Sequence, residues 1–359
     1  MNQRVHWALA VLLCLPLSAT GGSKKLGLLP SGMSPDSVEF TAAEMFVLDS
    51  EKISVFSLPD LTLLRTFCRA GRGAGMLWPR HNWDQAIRLA SGKIMAEDNN
   101  KILFFTPDGH FLEEKSKPEN TVWFVPFGGG FVAKSMVVTG TPPLQYMRIV
   151  LYDANLKETK ELYRQKWFQQ QNPPGFTTEF PGDLLHFAVA GDKLFVEKSP
   201  EGSVIAIFDA AGREIASAKN PHTPIPVTPA DRERITALVR REKRVAAMIA
   251  MTGSWEKLRE IWSFAFSEFN PALRELQAYG DNVLARTSEQ KGEETKFLLI
   301  DPRGRLRKEI FLPLGTDAET EARVSGTAFF KVIDGRVCFL RENPERKAWE
   351  VHLAAVDGL

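Results

Sequence analysis

A short apolar phrase recurs along the chain: ISVFSLPDL from Ile53, ILFFTPDGH from Ile102, IVLYDANLK from Ile149, IAIFDAAGR from Ile205 and FLLIDPRGR from Phe297. Each copy is a half-alternating strand that runs into a polar or Pro/Gly turn and then a second strand. A repeat of this size requires stacked β units, because one such unit cannot bury its apolar face alone. The copies start 49, 47 and 56 residues apart and then 92. The last interval is about one repeat too long, so an insertion is expected over 220–270. A degenerate sixth copy, WEVHLAAVDG, closes the chain near Val351.

A second phrase precedes most copies: RLASGKIMA, AVAGDKLFV, QAYGDNVLA and KVIDGRVCF, ending at Ala96, Val196, Ala285 and Phe339. Two turn residues of the Gly/Asp/Ser type separate two apolar strands in each, a strong hairpin signal. Together the phrases define a four-stranded unit, with strands A and B around the hairpin, C the recurring phrase and D beyond its turn. Six units fit, at about 37–67, 84–116, 121–164, 185–219, 271–313 and 327–357. Four-stranded antiparallel sheets repeated around a ring form a β-propeller, so the expected fold is all-β and six-bladed, with an inserted helical hairpin. The sixth unit runs out of chain before a D strand, and KKLGLL at 24–29 could supply it from the other end. FGGGF at 127–131 reads as a bulged hairpin, and GRGAG at 71–75 as an inter-blade linker, since neither a capped helix nor a Lys-Ser/Thr pair follows it.

The insertion opens on Thr228, Pro229, Ala230 and Asp231, a helix start. Ile235, Leu238, Val239, Met248 and Ile249 recur at helical spacing, and a second short helix carries Trp255, Leu258, Ile261 and Trp262 after a break at Gly253 and Ser254. Arg232, Arg240, Arg241 and Arg244 interleave with Asp231, Glu233 and Glu242, which describes a solvated face.

Residues 1–22 place Arg4 ahead of an apolar run from Trp7 to Leu17 and then small residues, the layout of a secretory signal with Ala19 as its expected last residue. The chain is therefore expected to be exported, periplasmic or extracellular, with no transmembrane span after the signal. Losing 1–22 removes Arg4 and no acid, leaving 44 residues of each sign. A neutral chain has no electrostatic footprint for nucleic acid. Cys68 and Cys338 are expected as buried free thiols, at a blade rim and on an inner strand.

The linker FCRAGRGAGMLWP at 67–79, with the preceding SVFSLPDLTLLRTF, resembles the NHL-type repeat of six-bladed, TolB-like propellers. Such propellers include protein-binding platforms, envelope proteins and a minority of enzymes, so the resemblance implies architecture and leaves activity open.

In a propeller the A-to-B and C-to-D turns lie on one face, and the B-to-C and D-to-A connections on the other. The sequence places every long segment in the second set: 68–84, 139–146, 165–184, 220–270, 288–294 and 342–347. Binding residues concentrate on loops held by a rigid scaffold. Trp78, His81 and Trp83, then Trp167 and Phe176, and His186 are the binding candidates, since aromatic groups beside polar ones suit a protein, peptide or glycan ligand. The blander role of each aromatic is to pin a linker onto a blade. No GxSxG, HExxH or CxxC pattern occurs. The expected function is a monomeric, non-enzymatic binding module without a cofactor. The alternative is a metal-dependent hydrolase or lactonase of the gluconolactonase-like kind, with Ca2+ at the central channel held by Asp84, Asn120 and Asp183, and with Glu119 and Asn270 nearby.

Overall fold

The computed structural model describes residues 23–359, apart from 50–51, 59, 79–84, 141–143, 170–175, 181–184, 199–201, 203, 220–222, 242, 315–328, 344 and 357–358. Six four-stranded antiparallel sheets form the blades. Ahead of the first blade stands β1 (Lys24–Leu28). Blade 1 comprises β2 (Pro35–Phe40), β3 (Glu44–Asp49), β4 (Lys52–Ser57) and β5 (Leu63–Arg69). Blade 2 comprises β6 (Ala86–Ala90), β7 (Lys93–Glu97), β8 (Lys101–Phe105) and β9 (Phe111–Ser116). Blade 3 has the longest strands, β10 (Thr121–Phe127), β11 (Gly130–Thr139), β12 (Leu144–Tyr152) and β13 (Glu158–Gln169). After β14 (Phe176–Phe180), blade 4 follows as β15 (Phe187–Ala190), β16 (Lys193–Glu197), β17 (Val204–Phe208) and β18 (Glu214–Lys219). The insertion holds α1 (Pro229–Arg241), α2 (Lys243–Thr252), α3 (Trp255–Ile261) and β19 (Trp262–Phe266). Blade 5 is β20 (Leu273–Tyr279), β21 (Asn282–Lys291), β22 (Glu294–Ile300) and β23 (Leu306–Leu312), and blade 6 is β24 (Phe330–Ile333), β25 (Arg336–Asn343) and β26 (Ala348–Ala355).

The sixth blade takes its outer strand from the N-terminal side: β1 pairs antiparallel with β26, Lys24 opposite Leu353 and Leu28 opposite Glu350. The innermost strands touch in order around the axis, β2 with β6, β6 with β10, β10 with β15, β15 with β20, β20 with β24 and β24 with β2. The ring is closed.

Each B and C strand is apolar on both sides because each blade packs against two neighbours. One buried cluster fills each interface: Leu48, Ile53 and Phe105 between blades 1 and 2, Phe104, Phe124 and Phe131 between 2 and 3, and Val132, Leu194 and Phe208 between 3 and 4. Phe195, Ile207 and Val283 fill the next, Leu284, Phe297 and Phe339 the fifth, and Met45, Phe56 and Leu340 the seam between blades 6 and 1. Full burial of such a side chain stabilises the fold by about 1.5–3 kcal/mol. The D strands lie outermost and alternate poorly; Phe111–Ser116 is almost wholly exposed.

The turns explain the recurring phrases. Ser91–Gly92 and Asp334–Gly335 hold positive φ at both positions, the two-residue turn that matches strand twist. In the C-to-D turns Asp153 accepts from the amides of Asn155 and Lys157, Asp209 from Ala211 and Arg213, and Asp301 from Arg303 and Arg305. The aspartate of the repeat is thus a turn residue. FGGGF is a hairpin whose turn is Gly128–Gly129, with Phe127 opposite Gly130; the register shift lies further back, between Val122 and Val125, where Trp123 has φ 60°.

Three connections that look long in the sequence are hairpins that go on pairing, to Thr139 opposite Leu144, Lys291 opposite Glu294, and Asn343 opposite Ala348. Polar side chains there face solvent on strands, so composition reads as loop. Cys68 on β5 and Cys338 on β25 are buried and free. Burial pushes their thiols up, to about 12 and about 11.

Candidate functional site

The long connections belong to one face: the linker after blade 1, the segment with β14 after blade 3 and the insertion after blade 4. Thr228 and Asp231 start α1 with a reciprocal cap, the Asp231 amide donating to Thr228 Oγ1 at 3.2 Å and the Thr228 amide to Asp231 Oδ2 at 3.0 Å. Ser254 caps α3 by accepting from the Lys257 amide. The helices share a small core of Ile235, Leu238, Val239, Val245, Leu258 and Trp262, with Phe266 of β19 packed against it. The insertion leaves the propeller through a neck in which the Val227 amide donates to Glu268 O at 2.9 Å and the Asn270 amide to Ile225 O at 2.8 Å. Its strand β19 pairs in parallel with β14, Phe176 opposite Trp262 and Phe180 opposite Phe266. The connections on either side of blade 4 are thereby joined to each other.

Of the binding candidates, Trp78 is half-buried and held in place: its amide donates to Asp98 Oδ2 at 3.0 Å and the Arg72 guanidinium lies 4.7 Å from its ring centre. Trp78 pins the linker to blade 2. Trp167 lies on β13 and Phe176 on β14. His81 and Trp83 lie outside the described residues, as do Asp84 and Asp183 of the calcium alternative. Asn120 sits in an exposed turn with φ 55°, its carbonyl accepting from the Met136 amide. Glu119 beside it is exposed. Asn270 is committed to the neck, where its amide nitrogen reaches Ile225 O at 3.3 Å and its oxygen accepts from Arg274 at 2.7 Å. Among the described residues no group of three or more His, Cys, Asp or Glu is placed to hold a metal ion.

His186 opens a different site. It is buried just before β15, and its carbonyl accepts from the Glu197 amide at 2.9 Å. Burial, and then the nearby positive charges of Lys134, Arg274 and Arg286, hold its imidazole well below the usual histidine range. Two of those cations belong to a belt. Glu97, Lys134, Glu197 and Arg286 occupy one register position of the B strand in blades 2 to 5, opposite Ile102, Ile149, Ile205 and Phe297. These four partners are the first residues of the recurring phrase. All four charged residues are buried, and their signs alternate around the ring. Blades 1 and 6 carry Leu48 and Leu340 there, opposite Ile53 and Val351.

Glu97 shows how the belt is satisfied. Its carboxylate accepts from Lys117 Nζ at 2.6 Å and from the amides of Trp123 and Phe124 at 2.9 and 3.0 Å, while Lys117 also donates to Asp98 O at 2.7 Å. Both side chains are fully buried. Glu97 thereby accepts from the two amides that the positive φ of Trp123 turns out of the ladder between β10 and β11. Lys134 Nζ then lies 3.6 Å from the centre of the Trp123 ring. Arg88 stands 4.0 Å from Glu97, and burial lowers its pKa while Glu97 and Glu39 oppose that shift. Between blades 1 and 6 Glu39 pairs with Lys331, and between blades 5 and 6 Gln277 bridges β20 to β24 by donating to Phe330 O and accepting from the Val332 amide, both at 3.0 Å. Sequence reading missed the belt, although lengthening three of the hairpin phrases by one residue, to MAE, FVE and LAR, and reading on from FGGGF to VAK would have displayed it. Glu97 is fully engaged by its donors.

No family model matches the chain, and no curated protein matches it. Among solved structures, it is similar to a Kluyveromyces lactis Hsv2 in which loop 6CD is replaced by a Gly-Ser linker, at 10% identity over 89% of this chain and 97% of that one, with a TM-score of 0.42. A member of the duf4221 family from Bacteroides vulgatus gives 10% identity over 94% and 96% of the two chains and a TM-score of 0.42. BamB from Moraxella catarrhalis gives 8% over 88% and 68%, with a TM-score of 0.30. Likeness at this level assigns no site. Among the described residues no helix is long and apolar enough to cross a membrane.

Proposed function

We propose that this chain is an exported, non-enzymatic binding propeller that recognises a partner with the face carrying β14 and the insertion. The observation that carries the reading is the parallel pairing of β14 with β19, which joins the connections flanking blade 4 into one platform. Rigid presentation of loops lowers the ordering cost of binding. The platform also exposes Met251, Ile261 and Phe269, at 81%, 48% and 41%. Isolated surface apolar residues are ordinary, but three on one short insertion suit an interface. Kinship with NHL-type, TolB-like propellers belongs to the same proposal and is supported by the 67–79 linker. Export is supported by the leader-like residues 1–22, and amino-terminal sequencing of the protein from its host should find a start between Thr20 and Ser23. A mature chain that retains residues 1–22 in the cytosol would refute export.

To test the platform, residues 228–267 are replaced by a short Gly-Ser linker, which preserves the neck. A photo-crosslinking residue is placed at Met251 and, as a rim control, at Ile215, itself 48% exposed. A discrete adduct from Met251 and none from Ile215, with competing partner lost from the linker variant, supports the reading. Equal crosslinking from both positions, or partner retained by a folded linker variant, overturns it.

A further inference from the structure

A second surface lies on the rim, away from the platform. Between blades 1 and 2 runs a groove of about 810 Å³, lined by Lys52, Phe67, Cys68, Arg69, Met76 and Phe111 among others. Its base is an aromatic row, with Phe67 and Phe105 centred 5.2 Å apart and Phe105 and Phe111 5.9 Å apart. The row needs the glycine of the blade 2 turn: a Cβ on Gly109 would stand 2.6 Å from Phe67.

The chain sets two cations over this apolar base. Lys52 and Arg69 are cross-strand partners in β4 and β5, whereas Ile53 pairs with Phe67, so Cys68 is the extra residue of a bulge. Cys68 takes φ 54°, a conformation that a non-glycine side chain adopts reluctantly. The bulge buries the thiol and leaves Arg69 exposed beside Lys52. Like charges directly opposite one another destabilise a sheet. Neither forms an ion pair with a described residue, while Lys101, the next cation along, is already paired with Glu114 at 2.9 Å. A strained bulge and a repulsive pair therefore converge on one aromatic groove.

We propose that this rim groove binds an extended acidic peptide segment of a partner protein, an apolar side chain on the Phe67–Phe105–Phe111 row and carboxylates between Lys52 and Arg69. An extended segment fits because β5 is the outer edge of its sheet. A bilayer suits the rim less well. Leu63 and Leu64 are exposed by 53% and 48%, but as consecutive strand residues they point to opposite faces.

The probe is a fluorescein-labelled hexapeptide of alternating aspartate and phenylalanine, with a counterpart carrying lysine for aspartate, titrated by anisotropy against the full protein. The aspartate peptide is expected to bind about tenfold or more tightly than the lysine peptide, and K52E/R69E to reverse that order. F111S, at a side chain already 40% exposed, should weaken the aspartate peptide by about tenfold while the fold, checked by circular dichroism, persists. K52E alone places an acid opposite Arg69 and should raise the melting temperature. No saturable binding of the aspartate peptide up to about 1 mM, equal binding of both peptides, or an unchanged affinity in K52E/R69E overturns the proposal. Binding of phosphatidylglycerol vesicles without binding of the peptide also overturns it, and gives the groove to a lipid surface.

Discussion

Replacing Lys117 with methionine tests whether the buried belt holds blade 3 in place. The substitution keeps the aliphatic stem but removes two donors, those to Glu97 at 2.6 Å and to Asp98 O at 2.7 Å. Glu97 would remain fully buried with the amides of Trp123 and Phe124, and with Arg88 at 4.0 Å. Removing one partner of a buried ion pair costs about 3–5 kcal/mol, and the two surviving amide bonds put this case near about 3 kcal/mol. Unfolding entropy of about 2 cal/mol/K per residue, over the residues after the leader-like segment, amounts to about 0.7 kcal/mol/K, so the melting temperature should fall by about 4 °C. Glu97→Ala removes the acceptor of three donors and should cost more, about 6 °C on the same scale. The double variant K117M/E97Q should recover about half of the loss in K117M, because the residual carboxylate charge is gone. Calorimetry at one fixed scan rate reads all three. A K117M protein within about 1 °C of wild type, with no recovery in the double variant, would refute the claim that this pair secures the Trp123 bulge.

Three further outcomes follow from the seam and from His186. Deleting residues 23–29 removes β1 and the buried Leu29, bares the edge of β26, and should lower the melting temperature by at least about 5 °C and promote association, read by calorimetry and light scattering. Lys25, Asn343 and His352 hold the Glu350 carboxyl down to about 2, from an ordinary value of 4.5. Its stabilising effect is therefore complete above that ordinary value and fades as pH falls towards 2, so Glu350→Gln should lower the melting temperature at pH 7 and converge with wild type near pH 2. His186 is held well below 6.5, so its imidazole resonances should not titrate between about pH 8 and 6, and acidification below the unfolded value should cost stability that His186→Gln does not lose.

Much of this wheel could be read from local chemistry. Ser91–Gly92 and Asp334–Gly335 are turns because of their own φ preferences, and the Thr228–Asp231 cap marks the start of α1 without help from the rest of the fold. The need for an outer strand in blade 6 was also legible, because a unit with three strands leaves an edge to cover. What escaped was set by distant partners. Nothing near Phe176 encodes its pairing with Trp262, and nothing near Trp123 announces a positive φ, which depends on the carboxylate of Glu97 from the preceding blade. The same holds for Cys68, which reads as an ordinary strand residue until Lys52 is seen opposite Arg69. Of the site candidates, Trp78 has its amide bonded to Asp98 of blade 2, and His186 lies among charges that strand register assembles.

The origin of the sixth blade's outer strand orders events during synthesis. Ser23 Oγ meets the His352 ring across 329 positions of sequence, so the seam cannot form until nearly the whole chain has left the ribosome. For a flexible chain, joining ends this far apart costs about 3 kcal/mol more than closing a ten-residue hairpin, which makes it the slowest search in the molecule. Until that seam forms, the edge of β26 is bare and β1 is unpaired, and a second copy offers the partner that each one lacks. Exchange of β1 between neighbouring copies is therefore a misassembly to which this architecture is open.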